Sequence, residues 1–258
     1  MAGRSIVNWR VFLVLFLASI LGVILVMPFV FTLQADLLEQ LPLPFPLILA
    51  LSIAQSGALF FIFTFLGLWL AGKVNLGAPI LQAWAEGKEV RTHFKSILGI
   101  SCGLGILAAI LIIAGDLLFI FTGAFNPSDL SVRPTWWQGL LASFYGGINE
   151  EILMRLFVVS LLAWIFRKIW KPMETKSSNL IIWLSVILSS LLFGLGHLPI
   201  TASLIEITSI IVARAVILNG IGGVIFGWLY WKKGLESAMI SHFTVDVVLY
   251  VVLPIILG

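Results

Sequence analysis

The chain has 258 residues, of which 60% are hydrophobic and only 10% charged, with a formal net charge of +3 and a mean hydropathy of +1.13. Soluble domains carry roughly 25% charged residues, so this chain cannot cover a water-facing surface, and lipid is the expected solvent. The basic balance does not point to nucleic acid. Its lysines and arginines stand beside hydrophobic segments rather than along one face, where headgroups and topology account for them.

In chain order, charge-poor runs near the ~20 residues that cross a bilayer core as helix lie at Val11 to Leu33, Pro46 to Gly72, Ile97 to Thr122, Trp136 to Phe166, Leu180 to about Leu198, a segment ending at Trp231, and Leu235 to Leu257. The first run follows Arg4 and Arg10. It is longer than the about 7 to 15 apolar residues of a secretory signal and no clear small-x-small site follows it, so it is expected to stay as a helix. The expected fold class is all-α: a polytopic transmembrane helical bundle of about seven spans, with room for an eighth, forming one integral membrane domain over residues 1–258.

Basic residues collect in alternate loops, with Lys73, Lys88, Arg91 and Lys95 in one, Arg167, Lys168, Lys171 and Lys176 in another, and Lys232 with Lys233 in a third. The positive-inside rule places these loops and the N-terminus in the cytoplasm, and Gln34 to Phe45 and Gly123 to Thr135 outside. Localisation in the cell membrane, multi-pass, follows. Trp136, Trp137 and Trp170 suit anchoring at headgroup level. Lys73 to Lys95 reads as a loop, with His93 solvated. Between Pro199 and Trp231, Glu206 and Arg214 interrupt the run and Asn219, Gly220, Gly222 and Gly223 weaken its middle, so a broken or re-entrant helix is the expectation there. Gly223-x-x-x-Gly227 permits close helix packing within the bundle. Asp116 reads as interfacial, and Glu206 and Arg214 as partners of each other or of other helices. The single cysteine, Cys102, excludes an internal disulfide and a thiolate metal cage.

Three polar clusters interrupt the apolar helices. In the fourth span Asn149, Glu150 and Glu151 are followed by Arg155, although an ionised side chain at the bilayer centre costs roughly 2.5 to 3.5 kcal/mol. Such groups face the bundle interior and mark a pathway or reaction site, or else a structural ion pair. Glu151 and Arg155, four apart, share a helix face. Glu150 is turned about 100° from Glu151 and lacks a local partner, which makes it the candidate general base. Gly146 and Gly147, one turn earlier, either admit water or a substrate backbone or serve packing. The second cluster, Phe193-Gly194-Leu195-Gly196-His197, ends the fifth span before Pro199. Imidazole near a membrane acid can hold or pass a proton. The third, His242 and Asp246, again four apart, is either part of a convergent site or a self-satisfied pair. Counted from Leu235 and Leu180, His242 and His197 lie at about 10 Å and about 25 Å of helix, and these depths do not match.

Glu150-Glu151-x-x-x-Arg155, Phe193-x-x-x-His197 and His242-x-x-x-Asp246, in that order, resemble the CPBP family of CAAX-processing and bacteriocin-processing (Abi) intramembrane peptidases. The resemblance covers about residues 136–257, the core carrying the three motifs, and Leu76-Gly77-Ala78-Pro79 is similar to a segment of bacterial members. It implies a metal-independent glutamic endopeptidase in which Glu150 and His197 activate water, His242 and Asp246 stabilise the oxyanion, and Glu151, Arg155 and Phe193 support the site. The pattern differs at Asp246, where members that fix it carry asparagine. An amide donates to an oxyanion and an ionised carboxylate does not, so Asp246 is either protonated there or orients His242. No cofactor and no metal is expected. The partners expected are the lipid bilayer and a peptide or protein substrate, including a membrane-associated one, and no nucleic acid; the oligomeric state is not readable. Competing readings are a zinc peptidase, which lacks His-Glu-x-x-His here, a proton-coupled transporter, and a non-catalytic scaffold or immunity protein.

Overall fold

The computed structural model describes residues 7–40, 42–129, 132–170 and 175–257. Arg4 and Lys171 lie outside the described residues, as does the side chain of Lys176. Among the described residues, seven long helical stretches form the bundle. They are α1 (Trp9–Leu33), α2 (Phe45–Val74), α3 (Arg91–Phe121), α4 (136–170), α5 (Thr175–Gly196), α6 (Ser209–Lys233) and α7 (235–257). Six stretches are long and apolar enough to cross a membrane. The remaining one, α4, carries the acids and the arginine, and its ends fit the same bundle.

Polarity is inverted relative to a soluble protein. Large apolar side chains such as Leu17, Leu51, Leu117, Leu118 and Ile217 are exposed, while Ser101, Asn149, Glu151, Arg155, Ser160 and Ser189 are buried. Without water to satisfy them, buried polar groups in lipid must find partners inside the bundle. Serine hydroxyls therefore donate to carbonyls or to each other: Ser101 meets Ser237 at 2.6 Å, and Ser160 meets the Tyr230 hydroxyl at 2.8 Å. Trp136, Trp137 and Trp170 are exposed at the two ends of α4, as interfacial anchors require.

Helix α4 is the centre of the bundle, packed against α1, α2, α5 and α7. It begins with a capping box at Thr135 and Gln138. Gln138 also donates to the Pro28 carbonyl and to the Thr32 hydroxyl of α1. Deeper in, the Asn149 amide donates to the Ser19 carbonyl at 2.9 Å. Gly22 of α1 makes room for that asparagine, because a Cβ there would strike Asn149 Oδ1.

Two boundaries differ from the sequence expectation. The break expected between Pro199 and Trp231 is present but falls early, between the short helix Leu198–Ala202 and Ser209, and Ser209–Lys233 is one unbroken α-helix through its small residues. The small residues that weaken helix propensity in α6 instead let it approach α5. A Cβ on Gly223 would lie 2.8 Å from Ser190, one on Gly227 2.6 Å from Val186, and one on Gly194 2.5 Å from Val216. In lipid, packing of small residues is the main source of helix association, so it prevails over propensity. Gly227→Val is expected to destabilise the fold by about 1 to 3 kcal/mol through overpacking, read as earlier thermal unfolding in detergent. The second difference is in the polar stretch after α2, which contains a short helix at Pro79–Ala85 and the first turn of α3, so His93 is exposed but helical. There the Gly77 carbonyl accepts from Leu235 N at 2.9 Å and Leu81 N donates to Glu236 at 2.8 Å. The Leu76-Gly77-Ala78-Pro79 segment thereby clasps the start of α7.

Asp116 is not merely interfacial. Its carboxylate pairs with the Arg214 guanidinium at 2.7 Å, joining α3 to α6, and Arg214 lies over the Phe125 ring at 4.0 Å.

Candidate active site

Residues 146–150 and 152–159 of α4 are wound as π-helix rather than α-helix, as are residues 248–252 of α7. Such wide turns gather at functional sites because they aim side chains that regular winding would not. The carbonyls they displace need new donors, and Ser189 of α5 supplies one, donating to the Met154 carbonyl at 3.1 Å.

The two adjacent glutamates have different fates. Glu151 is fully buried, with Oε1 held 2.9 Å from Arg155 Nη1 and 2.7 Å from His242 Nδ1. Arg155, equally buried, donates from Nη2 to the Gly223 carbonyl at 3.2 Å. It also packs over the rings of Phe193 and Phe226 at 4.9 and 5.1 Å. The side chain of Glu150 is instead 25% exposed, and its Oε2 stands 3.6 Å from His242 Nε2. One acid is locked and the other is partly exposed beside His242.

His242 is the hub. Its ring stacks on Phe226 at 4.5 Å, Nδ1 is bonded to Glu151, and Nε2 faces both Glu150 and, at 3.8 Å, Asp246. The orienting partner of His242 is therefore Glu151, and Asp246 lies beyond hydrogen-bond range of the ring. With Nδ1–H given to Glu151, Nε2 can donate to an oxyanion only from a doubly protonated ring. Gly146 makes this convergence sterically feasible. A Cβ there would strike the Asp246 carboxylate and approach His242 Nε2 at 3.2 Å. Gly146→Ala is expected to displace Asp246 and lower any activity of the site at least as much as Asp246→Ala, read by comparing the two variants at matched expression.

His197 is the outlying member. Its Nδ1 lies 2.8 Å from the Phe193 carbonyl, and among the described residues no ion pair joins it to a carboxylate. Phe193 links it to the centre, because its ring lies 4.7 Å from that of His197 and 5.7 Å from that of His242, edge-on to both. The ring of Phe193 thus stands in contact range of both histidines. Sequence reasoning missed Phe226, which carries no motif of its own. The spacing Gly223-x-x-Phe226-Gly227, a large ring set among glycines, is the one signal that marked Phe226. Among the described residues no group of three His, Cys, Asp or Glu side chains is arranged to hold a metal ion.

The fold and this cluster define a multi-pass membrane protein with an acid and histidine centre inside its helical bundle. Residues 132–248 match the family model described as type II CAAX prenyl endopeptidase Rce1-like. That segment belongs to the CPBP family, and all three motifs lie within it. No curated protein and no solved structure matches the chain.

Proposed function

We propose that the chain is an intramembrane endopeptidase of the CAAX prenyl endopeptidase type, in which Glu150 is the general base. The contrast between the two adjacent acids supports this most directly: Arg155 and His242 immobilise Glu151, whereas Glu150 stays partly exposed beside His242 Nε2.

In this reading a water lies between Glu150 and His197. Glu150 takes one of its protons as the oxygen attacks the scissile carbonyl carbon, forming the tetrahedral intermediate. His242 Nε2–H, and Asp246 in its protonated form, donate to the resulting oxyanion, a contribution worth on the order of 2.7 to 4 kcal/mol per donor in other hydrolases. As the carbon–nitrogen bond breaks, Glu150 returns the proton to the leaving amine, which restores the base. Glu151 accepts from Nδ1–H and fixes the angle of the doubly protonated His242 ring, and Arg155 holds Glu151. No cofactor enters these steps. The substrate is a peptide or protein segment reaching into the bilayer.

The test compares new peptide termini in membranes containing equal amounts of wild-type protein or Glu150→Gln. Termini formed only with the wild type support proteolysis and name substrates. Identical sets under several growth conditions would sink the proposal in favour of proton-coupled transport or a scaffold role.

A further inference from the structure

Helices α2 and α4 run in the same direction and reach the basic end of the bundle with the same spacing, Trp69-x-x-x-Lys73 on one and Trp164-x-x-x-Lys168 on the other. Four residues apart on a helix, each tryptophan and its lysine share one face. Packing of the two helices brings these faces together. The Trp69 and Trp164 rings lie 6.2 Å apart at 50°. Lys73 Nζ stands 5.7 Å from the centre of the Trp69 ring and Lys168 Nζ 5.9 Å from that of Trp164, distances at which an indole attracts a cation. Both tryptophans are half-buried and both lysines exposed. Among the described residues neither lysine is paired with a carboxylate. Two uncompensated ammonium groups are thus held beside one pair of indoles.

Deeper in the bundle the same seam is apolar. Gly67 lets α2 approach α4, because a Cβ there would lie 2.9 Å from Leu156 Cγ. One turn further from the basic end the Phe63 and Phe157 rings meet at 5.1 Å. From the middle of the bundle outward the order is therefore phenyl rings, indoles, ammonium groups. A phospholipid has the matching order of acyl chains, glycerol ester layer and phosphate. Tryptophan rings settle at the level of the middle layer, and basic pockets between membrane helices bind anionic headgroups. A zwitterionic headgroup carries its own cation and gains less from the two lysines.

We propose that the seam between α2 and α4 binds one anionic phospholipid, with its phosphate between Lys73 and Lys168 and its acyl chains along the Trp69–Trp164 and Phe63–Phe157 rings. The bound lipid ties α2 to the helix that carries Glu150, Glu151 and Arg155. This site depends neither on peptidase activity nor on which leaflet the basic end faces, since both leaflets present headgroups.

Purified protein in a neutral detergent is titrated with phosphatidylglycerol or phosphatidylcholine, and bound lipid is counted by native mass spectrometry. The wild type is expected to take up phosphatidylglycerol in preference to phosphatidylcholine. Lys73→Gln and Lys168→Gln are each expected to weaken the tightest phosphatidylglycerol binding by about fivefold, and the double variant by more than either, with thermal unfolding in lipid-free detergent unchanged. Lys73→Arg with Lys168→Arg keeps both charges and is expected to keep the preference. Arg91→Gln with Lys95→Gln, exposed at the same end of the bundle on α3, is expected to leave the affinity as it was. Equal affinity for the two lipids, an unaltered affinity in the Lys73→Gln, Lys168→Gln protein, loss of the preference in the double arginine variant, or an equal loss in the α3 control would each overturn the site. Displacement of the lipid by inorganic phosphate at equal concentration would overturn it too, because the lysines would then hold a free anion rather than a headgroup seated on the seam.

Discussion

Glu150→Gln is expected to lower the turnover of purified protein by about 10²- to 10⁴-fold, the range contributed by a positioned general base, while the protein stays folded. The substitution keeps size and hydrogen-bonding capacity but removes the group that can take a proton from water. Folding is spared because Glu150 is 25% exposed and holds its histidine only at 3.6 Å, so no buried charge is orphaned. A matched thermal-unfolding curve together with lost cleavage checks both halves. An unchanged cleavage rate would remove Glu150 from the reaction.

The opposite balance is expected at Arg155. Arg155→Ala strips the partner from a carboxylate with no exposure of its own, and breaking a buried pair from one side costs about 3 to 5 kcal/mol. It also removes the group packed between Phe193 and Phe226, so α4 loses its tie to α5 and α6 together. The loss is expected as a falling yield of folded protein and early unfolding in detergent, with activity lost only as a consequence. Replacing both partners, Glu151→Gln with Arg155→Met, removes both charges while leaving an acceptor for His242 Nδ1. This double variant is expected to unfold later than Arg155→Ala, and the reverse order would show that charge pairing is not what holds the region.

The run of apolar segments made the helical bundle legible, because bilayer thickness constrains helix length strongly enough for composition to mark six of its long helices. The pairing of Glu151 with Arg155 and the isolation of Glu150 from it followed from helical spacing, and the structure keeps both. Spacing set Asp246 beside His242, and it stands 3.8 Å from Nε2, but spacing did not reveal the hydrogen-bonding partner of Nδ1. Glu151 reaches that nitrogen from another helix. Tertiary contacts of that kind have no local pattern to betray them. The same holds for Asp116 and Arg214, 98 residues apart, and for the wide turns of α4, which nothing in residues 146–159 announces. Gly223-x-x-x-Gly227 was legible as a place of close packing, and it is where α6 meets α5, whereas the weak helix propensity of the same stretch pointed to a break that is not there.

The π-helical winding of α4 makes chain length, more than side-chain chemistry, the tightly constrained variable between Gly146 and Val159. Removing one residue from the stretch 152–159 would let it close as ordinary α-helix, and because the wider turns already absorb an extra residue the two flanks would stay nearly in register. Trp136 and Arg167 would keep their neighbours, while side chains inside the stretch, Arg155 among them, would be aimed elsewhere. A conservative exchange of one apolar residue for another leaves that angular setting intact. Single-residue insertions and deletions here should therefore be tolerated far less well than substitutions, and a deletion scan across α4 would trace the borders of the stretch as a sharp trough in activity.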